Sequence, residues 1–154
     1  MRVVHPALCV YSMSKKKEPG HLPAWMDKHV RKCKAAMGLW DWRIDVSRVD
    51  DLKHKGEACL GYHTTEYCTL TSDIEYNTSL EDDSLGHDVI THEFLHVALI
   101  EPDRAFERVL DFVPKKHQKH CQWLYTEAKE HATEKLARSI TPVLRGMDNK
   151  GKEE

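Results

Sequence analysis

The 154-residue sequence predicts a single α+β domain. Three observations carry that expectation. Apolar residues recur at helical spacing over 22–37, alternate with polar ones over 40–47, and crowd one apolar segment over 87–100. These imply a backing helix, a small mixed sheet of three to four strands, a buried helix and a long C-terminal helix. The domain is expected over 1–141 with its core in 22–141, and residues 142–154 read as a polar tail.

The elements follow in order. Ala7 to Tyr11 is a short apolar stretch that suits a strand, and Ser12 to Gly20 reads as a loop. Leu22, Trp25, Met26, Val30, Cys33, Ala36 and Met37 define the first helix, with Pro23 in its first turn and Gly38 as its stop. Trp40, Trp42, Ile44 and Val46 then alternate with polar partners as a half-buried strand does. After polar Asp50 to Glu57, the runs Ala58 to His63 and Tyr67 to Ile74 read as a hairpin.

Acidic, turn-forming residues 77–86 lead into His87 to Ile100, a helix apolar nearly all round and therefore buried. Arg104 to Val113 suits a short helix. The last helix is expected from Lys115 to Thr141, ended by Pro142, with Tyr125, Ala132, Thr133, Leu136, Ala137 and Ile140 on one arc.

Composition narrows the function. Lys and Arg total 23 against 25 Asp and Glu, so nothing marks a nucleic-acid partner. No apolar run approaches the roughly 20 residues that cross a bilayer, and no signal-peptide core is present, so a cytoplasmic monomer without a membrane or nucleic-acid partner is expected. Five cysteines without a CxxC pair read as reduced thiols, Cys59 and Cys68 facing each other across the hairpin. Histidine, at 11 copies, is the unusual residue.

The buried helix contains His92-Glu93-Phe94-Leu95-His96, an H-E-x-x-H match. Residues four apart lie one turn apart on one helical face, so His92 and His96 can direct imidazole nitrogens at one ion. Glu93 points about 100° away, beside the open position of such an ion, where it can take a proton from water. Zinc (Zn2+) is the expected cofactor, and a peptide or protein is the expected substrate. A core helix whose histidines merely pair with neighbours would need partners for three polar groups in an otherwise apolar setting.

Val89 to Leu99, with the motif at its centre, resembles the active-site helix of zincin metallopeptidases. The order of elements over 22–141 resembles the small gluzincins called minigluzincins and short phage-type metallopeptidases. That resemblance implies a zincin-like fold with an H-E-x-x-H helix and a C-terminal helix supplying a glutamate ligand. A metzincin pattern is absent, because Val97-Ala98-Leu99-Ile100-Glu101-Pro102 lacks its glycine and third histidine.

On a helical wheel Glu130 falls next to the apolar arc that ends near Ala137, while Glu127 and Glu134 lie farther round, so Glu130 is read as the third ligand and the other two as alternatives. Asp103, Glu101, Glu107, His117 and His120 remain further candidates. His131 and Tyr125 are candidates to stabilise a developing oxyanion, and Asp88, four before His92, to orient that ring. The resemblance also implies an edge strand that pairs with extended substrate, and Tyr67 to Ile74, directly before the motif segment, is the candidate. The resemblance implies a latency role in the cleft for residues 143–154, whereas their few apolar anchors favour a freely solvated tail.

The expected function is zinc-dependent peptide hydrolysis, with His92, His96 and Glu130 on the metal and Glu93 as general base and acid. The alternatives are a zincin-fold zinc-binding or latent protein without useful peptidase activity, and a metal-free helical adaptor.

Overall fold

The computed structural model describes residues 22–147. The expectations for the first strand, for Cys9 and for the last residues of the tail lie outside them. Helix α1 (Ala24–Ala36) follows Pro23, whose fixed φ suits a helix start, and ends before Gly38 at φ +67°. Strand β1 (Arg43–Val49) follows, three residues later than the alternation suggested, because Trp40 sits in a turn and is exposed.

The polar stretch after it is not featureless. Strands β2 (Lys53–His54) and β3 (Glu57–Ala58) pair antiparallel around Lys55-Gly56, both at positive φ, as a two-residue hairpin turn requires.

The expected hairpin forms with a shifted register: β4 (Gly61–Glu66) pairs antiparallel with β5 (Thr71–Asn77). That register puts Gly61 opposite Tyr76 and Glu66 opposite Thr71. Cys59 thus precedes the paired segment and Cys68 falls in the turn, so the two do not face each other across it. Strand β5 also pairs parallel with β1, giving the order β1-β5-β4. The middle strand is therefore β5, and the expectation that Tyr67 to Ile74 forms the free edge is overturned. Ser72, Ile74 and Tyr76 on β5 are buried, and a strand with partners on both sides cannot offer its backbone to a third. The free edge toward the next helix belongs to β4.

Helix α2 (Ser84–Ala98) starts three residues before His87, because the Asp83 side chain accepts from Gly86 N at 2.7 Å and caps it. Gly86 is sterically required: a Cβ there would lie 2.1 Å from the Glu81 carbonyl oxygen. Ile90, Phe94 and Val97 of α2 join Met26 and Cys33 of α1 and Ile74 and Tyr76 of β5 in the core. The Tyr76 hydroxyl reaches the Ile90 carbonyl at 3.4 Å and ties the sheet to α2.

Helix α3 (Ile100–Leu110) takes Pro102 into its first turn, where a missing N–H costs no helical bond. Helix α4 (Lys115–Gly146) passes through Pro142 instead of ending there. Beyond the proline, Leu144 is buried, and Lys32 Nζ donates to its carbonyl at 2.8 Å, so tertiary contacts hold the last turn. The buried line of α4 is Thr133, Ala137, Thr141 and Leu144, while Ala132 and Leu136 are exposed. This fully buried line is narrower than the expected arc. Among the described residues no helix is long and apolar enough to cross a membrane.

Candidate metal centre

Helix α2 lies between α1 and α4 and has a polar group on each side. Thr91 Oγ1 donates to the His87 carbonyl at 2.9 Å and lies 3.0 Å from both His29 Nε2 of α1 and Thr141 Oγ1 of α4. This buried knot fixes α4 against α2 in one rotational setting.

On the next face round α2, His92 Nε2 and His96 Nε2 stand 3.0 Å apart, their rings edge-on at 80°. Glu130 Oε2 of α4 lies 3.4 Å from each. These three side chains form the group able to hold a metal ion found among the described residues. The structure therefore brings Glu130 to the histidine pair, while Glu127 and Glu134 line the same cleft outside the group.

The donor set fits a cation. Three lone-pair donors this close repel one another unless a proton or an ion lies between them. Donors about 2.0–2.1 Å from a tetrahedral centre stand about 3.3–3.4 Å from one another, near the spacing seen here. Two imidazoles with one carboxylate suit a borderline transition ion better than magnesium or calcium, which prefer oxygen.

The electrostatics agree. Burial alone would lower the His92 pKa, but the carboxylates of Glu130, Glu93 and Glu134 outweigh it and raise the value. Hydrogen bonds from His92 and then His96 hold the Glu130 carboxyl well below the usual carboxylate range. Comparison with protein-family models, with curated proteins and with solved structures finds no match.

Glu93 faces the adjoining strand. Its side chain is only 9% exposed, and Oε2 accepts from His63 Nδ1 of β4 at 2.8 Å. The approach is close because Gly61 has no side chain: a Cβ there would lie 2.9 Å from both Cγ and Oε1 of Glu93. The His63 ring also stacks on His96, centroids 4.7 Å apart. Sequence reasoning missed His63. Its only signal was a histidine two residues after a glycine in a strand, which means little until the strand is known to border the motif helix.

Gly61, His92, Glu93 and Glu130 line a cleft of about 780 Å³ that also includes Asp88 and His131. The other candidates are engaged elsewhere. Asp103 accepts from Tyr125 Oη at 2.9 Å and from Lys129 Nζ at 2.6 Å, so it braces α3 against α4. Burial, with Asp103, pushes the Tyr125 phenol up to about 12, and the ring stacks on Phe106. Glu101 lies 3.8 Å from Arg104, Glu107 is exposed, and His117 and His120 are exposed on the first turns of α4. None of them belongs to the metal-holding group.

Proposed function

We propose that this chain is a zinc-dependent metallopeptidase of the gluzincin-like kind, with a zincin-like arrangement of α2 and α4. One observation carries the reading: two imidazole nitrogens of α2 and one carboxylate oxygen of α4 converge on one point, with a buried glutamate from the same helix beside them. His92, His96 and Glu130 would hold the ion. Bound zinc supplies a Lewis acid that lowers the pKa of water to about 7 and polarises a carbonyl.

The chain's own residues do the rest. The Glu93 carboxylate takes a proton from the attacking water as its oxygen adds to the scissile carbonyl carbon. The same carboxyl then returns that proton to the nitrogen as the carbon–nitrogen bond breaks, so a peptide and water give a free acid and an amine. His131 lines the cleft one residue after Glu130 and would be the group to donate to the developing oxyanion. The edge of β4 offers backbone groups to an extended peptide.

The test is Glu93→Gln in protein purified without a polyhistidine tag. Elemental analysis is expected to show one zinc per chain in both forms, with peptide hydrolysis reduced at least a hundredfold in the variant. Stoichiometric zinc with no cleavage of any peptide mixture by the unaltered chain would replace the peptidase with a zinc-binding protein. Absence of zinc would remove both.

A further inference from the structure

We propose that His63 is a positioning residue that keeps Glu93 out of the metal's coordination shell and in place as a base. The inference rests on the function proposed above and adds a residue to it.

Glu93 has two competing uses. A carboxylate next to a divalent cation is drawn toward it, and once it is a ligand its lone pairs no longer serve a proton. Something must oppose that attraction, and the structure supplies one directed contact. Against a carboxylate, the His63 nitrogen at 2.8 Å carries the proton, so Nδ1–H donates and Oε2 accepts. A hydrogen bond to an ionised acceptor in a buried setting is among the stronger ones.

The donor itself is held. His63 lies in a regular strand opposite Ile74, a residue of the middle strand that is fully buried. Its ring rests on the face of His96. Gly61, two residues earlier and so on the same face of β4, leaves the space that Glu93 fills. Strand β4 therefore carries both a recess and a clamp for one carboxylate, and His63 touches both the proposed base and a proposed ligand.

The consequence separates this role from a merely structural one. Releasing Glu93 lets it join the ion, so metal affinity rises as catalysis falls. A variant that only loosened the fold would lose both.

The experiment measures zinc affinity by chelator competition, and peptide hydrolysis, in His63→Leu, His63→Asn and His63→Leu/Glu93→Gln. In His63→Leu, zinc is expected to bind about tenfold tighter, and kcat to fall about a hundredfold with KM little changed. Asparagine, whose amide can replace the Nδ1–H donor, is expected to restore both values toward the unaltered protein. The double variant is expected to lose the gain in affinity. Weaker or unchanged zinc binding in His63→Leu, or a gain that survives Glu93→Gln, would overturn the proposal. If the unaltered protein binds zinc but cleaves no peptide, a Glu93-dependent gain in affinity would still support the positioning role while the peptidase reading fell.

Discussion

Five histidines lie on or against α2 in two groups, and the groups differ in their electrical surroundings. On one side His29 and His87 meet edge to face, centroids 4.3 Å apart, in a cavity also lined by Lys28, Lys32 and Arg145 and by one carboxylate, Asp82, 2.7 Å from His87 Nε2. Burial first, then the charges of His87 and Lys32, push the His29 pKa down to about 4. On the other side His92, His96 and His63 sit among Glu93, Glu130 and Glu134, and the His92 pKa is raised. The same side chain is thus held neutral at His29 of α1 and favoured in its charged form at His92 of α2. Surroundings set the difference: burial first and then positive neighbours act on His29, whereas carboxylates outweigh burial at His92, whose pair with His96 has a carboxylate, Glu130, close enough to share an ion.

The comparison breaks most directly by truncating one member of each group. His92→Ala is expected to weaken zinc binding at least a hundredfold, because two donors remain of three. His87→Ala is expected to leave zinc affinity within about threefold, since its ring lies on the opposite side. Chelator competition reads both, and equal losses would abolish the distinction.

A smaller effect concerns pH. His29 titrates near 6.5 in an unfolded chain and at about 4 when folded, so between those values the unfolded state binds a proton that the folded state refuses. Stability is therefore full above about pH 6.5 and falls as pH drops toward 4, by about 2–3 kcal/mol from this residue. Urea unfolding at pH 7.5 and 4.5 is expected to show that difference shrinking in His29→Asn.

The smallest effect is at the brace. Tyr125→Phe removes one hydrogen bond to Asp103 but leaves Lys129 there, so a loss of about 1 kcal/mol is expected with little change in zinc binding.

What the sequence made legible follows the range of the interactions. Helices α1 and α2 and the β4–β5 hairpin announce themselves because periodicity and turn residues are local. The placing of Glu130 nearest the buried face came from α4's own wheel, and the histidine pair from spacing within α2. The rest depends on contacts far apart in the chain. Parallel pairing of β1 with β5 makes β5 the middle strand, and no pattern within 67–77 announces it. His63 acquires meaning only when β4 is laid beside Glu93. Pro142 signals a helix stop, yet burial of Leu144 two residues on outweighs it.

Helix α4 spans 32 residues and is pinned at two places, by Asp103 to Tyr125 and Lys129, and by Thr141 and Leu144 against α1 and α2. Glu130 lies between the pins. Each residue advances a helix by about 100°, so deleting or inserting a single position between them would swing that oxygen a quarter-turn or more from the histidines while leaving composition almost untouched. This stretch should therefore accept exchanged side chains far more readily than gaps, and its register is the inheritance any working descendant must keep.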